Sequence, residues 1–467
     1  MKAVNDLPPL KAVTGSPHLN AESQPIEGAT EKDEEEDEND EGQNKRRSVV
    51  MGAAEEPQTE PEGGEVAEDE AFESSDCPGA KEEVAAGSAA AWPALGFDVP
   101  PSRVYHFCRQ FMSGAPNPNP NPNPKPNPNS SSNNNNFLKG VKWSPDGSSF
   151  LTSSDDNTLR LFYLPEDACS AEHNAAVDEE DSYVASLIVK EAESVYDYCW
   201  YPYMSVSDPA TCVFASTTRD HPIHLWDAIT GELRCTYRAY DAMDEITAAL
   251  SLSFNPSGTK LFAGYNKAIR VFDVHRPGRD FEQYSLLKGK EGPSGIVSSI
   301  SFSPTHSGVL AVGSYSQTTA IYAESNMEPL YVLHGQLGGV TQDPYILCWD
   351  IRNTVGIVYK LYRSSDNTNQ RISFDIEPGG RHLGTGGQQD GLVHIYDLQS
   401  GQWKIGFQAA SDTVNGFTFH PYLPLAASSS GNRRFDMLDN FEENTILAGD
   451  ENCASIWIFS CSPQVDY

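Results

Sequence analysis

Eleven histidines, nine cysteines and 66 acidic residues give this 467-residue chain ample reactive chemistry, but none of it stands at catalytic spacing. No Gly-rich phosphate loop, HExxH, GxSxG or metal-ligand spacing occurs. His224 and His394 sit inside alternating apolar runs and His420 flanks a turn, so they read as hydrogen-bond partners rather than catalysts. The cysteines are odd in number, scattered and without CxxC pairs, the pattern of a reduced intracellular chain without zinc. The expectation is therefore no enzyme, no cofactor and no metal.

What remains is recognition chemistry. Short polar segments recur between strand-like runs: Asp155-Asp156-Asn157, Arg219-Asp220-His221, Tyr265-Asn266-Lys267, Tyr315-Ser316-Gln317, Gln388-Gln389-Asp390 and Asn432-Arg433-Arg434. Aromatics and amides beside isolated Arg or Lys stack on unpaired bases and read them. They serve peptides equally well. The candidates for such contacts are Tyr196, Arg219, His221, Tyr265, Lys267, Tyr315, Arg371 and Arg433, with Arg276, Arg279, Lys288 and Lys290 as an alternative basic patch. Any such site has to be local, because 66 acidic against 32 basic residues leave a net charge of −34. That balance excludes a broad basic footprint on nucleic acid.

The elements that must hold these loops repeat. From Phe137 onward, short β-branched and aromatic runs alternate with Gly, Pro, Asp and Ser, the mark of an all-β fold. One unit, apolar-any-apolar-aromatic, recurs with its aromatic at Phe162, Trp226, Phe272, Tyr322, Trp349, Tyr396 and Phe459. A second, aromatic-polar-Pro and a turn pair, precedes most copies, as in Trp143-Ser144-Pro145-Asp146-Gly147 and Phe254-Asn255-Pro256-Ser257-Gly258. Pro presets such a turn and Gly accepts its positive φ. The pattern resembles the WD-repeat family, whose four-stranded blades run about 40–45 residues. It predicts an all-β, seven-bladed propeller over 137–460 with one column aromatic on the third strand of each blade.

A ring has to close, and too few residues follow Phe459 for another full strand. Val104–Cys108, within 101–112, is the spare strand that can supply the outer edge of the last blade. Residues 1–100 read as a disordered acidic region and 113–136 as a Pro/Asn-rich spacer. The interval from Tyr322 to Trp349 is too short for a blade of roughly 40 residues. The fifth repeat, about 332–352, is therefore expected to be truncated, with a strand-turn-strand missing through a skipped exon or faulty gene model, the alternative being a naturally three-stranded or degenerate blade. No apolar run approaches the roughly 18 residues of a membrane span, and no secretory signal is visible. Lys45-Arg46-Arg47 is a short basic knot of the kind that serves nuclear import.

Several stretches go beyond generic repeats. Asn136-Phe137-Leu138-Lys139-Gly140, Tyr196-Asp197-Tyr198-Cys199-Trp200-Tyr201, Pro222-Ile223-His224-Leu225-Trp226-Asp227-Ala228 and Asp244-Glu245-Ile246-Thr247-Ala248-Ala249 belong to this set, as do Arg276-Pro277-Gly278-Arg279-Asp280 and Asn369-Gln370-Arg371-Ile372. Together they resemble the telomerase Cajal-body protein family of WD-repeat proteins over about 137–420. The resemblance implies an RNA-binding scaffold that recognises the CAB-box loop of small Cajal-body RNAs and of telomerase RNA. It implies association with H/ACA ribonucleoprotein proteins and telomerase reverse transcriptase, and a place in the nucleus, in Cajal bodies, with some cytoplasmic protein. It implies no membrane and no small-molecule substrate. A competing resemblance is Trp349-Asp350-Ile351-Arg352, a WDxR motif of the kind by which some propellers dock onto a cullin ubiquitin-ligase adaptor. A generic protein-interaction scaffold is the third reading.

Overall fold

The computed structural model describes residues 92, 94–111, 135–166, 168–169, 184–287, 292–336, 343–363, 370–387, 391–434 and 451–461, all within one compact unit, 85–467. The acidic region and the Pro/Asn spacer lie outside the described residues except at their ends. Among the described residues there is no α-helix, only a 3-10 turn at Arg109–Phe111.

Six antiparallel four-stranded blades follow along the chain. The first is Leu138–Trp143, Ser149–Ser154, Thr158–Tyr163 and Leu187–Lys190. The second is Val195–Trp200, Val213–Thr218, Ile223–Asp227 and Leu233–Tyr237, and the third Ser251–Phe254, Lys260–Gly264, Ala268–Asp273 and Glu282–Ser285. The fourth runs Val297–Phe302, Val309–Ser314, Thr318–Ala323 and Pro329–His334; the fifth Phe374–Ile376, His382–Gly386, Leu392–Asp397 and Gln402–Gln408. The sixth is Val414–Phe419, Leu425–Ser430 and Ala454–Ile458, with Ser102–Phe107 as its outermost strand. Each strand places alternate side chains on opposite faces, and the buried clusters run from blade to blade. Leu151, Leu161 and Val189 of the first blade, for example, pack on Trp200 and Phe214 of the second.

Among the described residues six four-stranded blades stand where seven were expected. Instead of a seventh blade, a two-stranded ribbon, Tyr345–Asp350 and Asn353–Tyr362, lies between the fourth and fifth blades and pairs only with itself. The expected truncated repeat at 332–352 is likewise displaced. Leu333 pairs with Thr319 and completes the fourth blade, so the ribbon begins only at Tyr345. Trp349 consequently stands on the first strand of that ribbon and not on the third strand of a blade.

Phe162, Trp226, Phe272, Tyr322 and Tyr396 do occupy third strands, but Phe459 does not. Trp457 takes that site, paired with Ala426 as Trp226 is with Phe214. Its Nε1–H donates to Ser428 Oγ at 2.9 Å, matching the 2.8 Å bond from Trp226 to Ser216 Oγ. Phe459 lies beyond the strand, buried against Phe97 and Phe419.

Residues before 101 also join the ring. Leu95–Gly96 pairs with Ser460–Cys461, and Trp92 and Phe97 pack on the core between the fifth and sixth blades. Their apolar area is hidden in a composition dominated by the acidic residues upstream. Phe107 and Phe111 carry the same segment on to Phe162 of the first blade, at ring distances of 5.2 and 6.5 Å.

The sixth blade meets the first through a histidine latch. His420 is 2% exposed. Its Nε2–H donates to Gly147 O at 2.9 Å, and its Nδ1 accepts the N–H groups of Tyr422 and Leu423 at 3.0 and 2.9 Å. Gly147, at φ 72°, must lack a Cβ here, since one would lie 2.4 Å from the imidazole. The neutral tautomer fills every role, and burial pushes the His420 pKa down to about 4. A base whose folded pKa falls below its unfolded value near 6.5 loses stability as pH falls from about 6.5 to about 4, and no further below. That interval corresponds to about 3 kcal/mol. Denaturant titrations between pH 7 and 4 should show this slope, and His420→Gln should lack it; identical slopes would remove the latch from the account.

Candidate functional site

Four of the innermost strands carry the same irregularity. Register shifts lie between Leu138 and Gly140, Val195 and Asp197, Val297 and Ser299, and Val414 and Gly416. The extra residue of each bulge is Lys139, Tyr196, Ser298 or Asn415. A bulge re-aims a side chain and interrupts pairing. Lys139 and Tyr196 line a cavity of about 750 Å³, together with Phe137, Lys142, Ser153, Tyr315, Gln370, Arg371, Asn432 and Arg433.

Cations dominate the lining. Lys139 Nζ reaches Asp155 at 3.3 Å and donates to Ser194 Oγ at 2.8 Å, and burial holds its pKa below the usual lysine value. Arg433 shares the same carboxylate at 3.5 Å and lies 5.6 Å over the Phe137 ring. Lys142 donates to Asp197 Oδ1 at 3.0 Å and to Tyr198 O at 2.5 Å. Burial alone would raise the Asp197 pKa; Lys142, Arg371 and the Leu252 N–H outweigh it and keep the carboxylate charged. Four cations thus share two carboxylates, a local positive excess inside a chain of net charge −34.

Of the residues singled out in the sequence, the structure brings Tyr196, Tyr315, Arg371 and Arg433 to this cavity. Tyr315 is 39% exposed and Tyr196 half-buried. Arg371 is committed differently from the others. Its guanidinium donates to Tyr196 O at 3.0 Å and Ser298 O at 2.8 Å, clasping the inner strands of the second and fourth blades.

Arg219, His221, Tyr265 and Lys267 are not in the lining. Arg219 is exposed beside Asp220 at 3.4 Å, and His221 Nδ1 lies 2.6 Å from the Arg219 carbonyl. Lys267 is exposed at φ 61°. Tyr265 is buried, with Arg270 4.5 Å over its ring and burial raising its phenol pKa, so it offers no face to an outside ligand.

Of the alternative patch, two residues are described. Arg276 sits 3.9 Å from Asp273; Arg279 bonds Asp244 and lies 3.9 Å over the Tyr240 ring; Lys288 and Lys290 lie outside the described residues, as does Gln388-Gln389-Asp390. Arg352 stands in the turn of the ribbon, 85% exposed, and is held by Asp350 at 2.8 Å. That bond brings the Asp350 pKa down to about 2. Sequence reasoning missed Lys139 and Lys142 as lining residues; Lys139 sits in the bulge, which no local motif announces.

Among the described residues no cluster of His, Cys, Asp or Glu is arranged to hold a metal, every cysteine is free, and no helix is long and apolar enough to cross a membrane. His224 serves as a hydrogen-bond partner, with Nδ1 2.9 Å from the buried Glu191 carboxylate.

Comparison with known proteins places this ring. The family described as "WD domain, G-beta repeat" matches residues 130–162. The chain is 43% identical over 339 residues to "Telomerase Cajal body protein 1" of Mesocricetus auratus, covering 68% of this chain and 62% of the relative. The Homo sapiens protein of that name is 42% identical over 322 residues, covering 64% and 58%. The "Telomerase Cajal body protein 1 homolog" of Drosophila melanogaster is 33% identical over 338 residues, covering 68% and 61%. The chain spans about three fifths of the length of these curated relatives. This sequence identity and the bladed fold mark the chain as a WD-repeat propeller similar to the proteins named telomerase Cajal body protein 1.

Proposed function

We propose that the chain is a non-enzymatic scaffold that binds the CAB-box loop of small Cajal-body RNAs and telomerase RNA. In the nucleus it brings these RNAs, with H/ACA proteins and telomerase reverse transcriptase, to Cajal bodies. The ring is read as a seven-unit one whose fifth unit is reduced to two strands, the ribbon. The observation that carries the RNA reading is the cavity: aromatics, amides and a local excess of cations inside an otherwise acidic chain. A small site of this kind makes few phosphate contacts, so affinity should fall only shallowly with salt.

Crosslinking followed by RNA sequencing from native tissue tests the reading. H/ACA-type RNAs should be recovered; co-purification of a ligase adaptor without RNA would instead favour the WDxR reading. Two variants sharpen the test. Arg433→Ala should weaken RNA binding without lowering the melting temperature. Arg371→Ala should lower both, since loss of its bonds to two carbonyls costs about 1.5 to 3 kcal/mol. An Arg371→Ala protein as stable as the parent would mean that the clasp does not brace the ring.

A further inference from the structure

Resting on that RNA reading, we propose that the central cavity takes one unstacked ribonucleotide, with its base against Tyr315 and Tyr196 and its phosphate at Arg433 and Lys139. At about 750 Å³ the cavity falls within the range of small-ligand pockets. It suits one or two nucleotides and not a helix. Its lining has the two characters that a nucleotide needs. Tyr315 and Tyr196 supply aromatic faces, and bases of any identity stack on such faces. Lys139 and Arg433 share the single carboxylate of Asp155, so one phosphate can be received without removing any acid from the site.

Ser153 adds a polar group to the wall. It is 1% exposed, lines the cavity and has an Oγ without a hydrogen-bond partner. A buried hydroxyl left unpaired costs roughly 1–3 kcal/mol, and a base edge would satisfy it. The Gln370 amide donates to the Asn432 side chain, and both line the cavity. A basic peptide would meet the cation excess, and an acidic peptide would leave the aromatic faces unused.

The test uses the full chain with adenosine monophosphate, uridine monophosphate and a short unstructured RNA as probes. Both monophosphates should bind weakly and compete with the RNA. Tyr315→Ala should weaken binding of monophosphate and RNA by about tenfold or more, Tyr315→Phe should retain it, and Ser153→Ala should weaken it. Lys404→Ala, outside the cavity, should change nothing, and thermal melts should show every variant folded. If RNA binds but neither monophosphate competes, and Tyr315→Ala and Ser153→Ala bind as the parent does, the single-nucleotide site is overturned and the RNA reading stands. If the monophosphates bind in a Tyr315-dependent way and RNA does not bind, the cavity serves free nucleotides and the RNA reading fails. Binding of neither overturns both.

Discussion

Removing residues 1–91 should leave a soluble ring with its melting temperature unchanged, whereas removing residues 1–111 should abolish soluble folded protein. The reason lies in what the segment from Trp92 to Phe111 covers. Phe111 is 0%, Phe107 2% and Leu95 7% exposed, and they pack against the first, fifth and sixth blades. Fully burying a large apolar side chain contributes roughly 1.5–3 kcal/mol, so these three alone reach roughly 5–9 kcal/mol. A whole domain is stable by only about 5–15 kcal/mol. The longer deletion also strips Ser102–Phe107 from Ala454–Ile458 and opens a sheet edge, which invites intermolecular pairing. Circular dichroism melts and size-exclusion chromatography of the two truncations decide the matter. Equal stability would mean that the sixth blade is complete without its N-terminal strand.

That expectation was half legible in the sequence. Val104–Cys108 stood out because it is β-prone and isolated. The contribution of Trp92, Leu95 and Phe97 did not, because three apolar residues after a long acidic stretch carry no periodicity. The last third strand shows a different limit. Ala454-Ser455-Ile456-Trp457 and Ile456-Trp457-Ile458-Phe459 both fit apolar-any-apolar-aromatic. A strand repeats every two residues, so two frames offset by two are equivalent by pattern. Only pairing of Trp457 with Ala426 separates them.

The site was legible by loop and illegible by side chain. Tyr265 and Tyr315 occupy corresponding loops and read alike, but one ring is sandwiched under Arg270 and the other is partly open. The difference lies in tertiary neighbours, which a short motif does not encode. Arg371 carries the same lesson. Its charge was visible, but two backbone carbonyls from distant blades claim its donors.

Arg363→Met should release the ribbon before the ring melts, raising amide exchange in 345–362 by roughly a hundredfold or more. Arg363 follows the ribbon directly, is 1% exposed, and donates from Nε to Asp343 O and from Nη1 to Ile372 O, each at 2.9 Å. It therefore ties the ribbon's entry, its exit and the approach to the fifth blade at one point. Burial pushes its pKa down to about 10, opposed by the neighbouring Asp343, and the side chain stays charged at neutral pH. Removing the guanidinium breaks two hydrogen bonds from a charged donor to backbone carbonyls, each worth about 1.5–3 kcal/mol. The ribbon's other ties to the fifth blade are the buried Leu361, the partly covered Ile346 and Tyr359, and hydrogen bonds from Tyr359 Oη to Leu398 O at 2.6 Å and from Tyr396 Oη to Tyr362 O at 2.5 Å. Arg363→Lys keeps the charge and loses the fork, so its exchange should fall between the two. If the amides of 345–362 exchange at the same rate in Arg363→Met as in the parent, the ribbon is held by its contacts with the fifth blade, and Arg363 is a passenger.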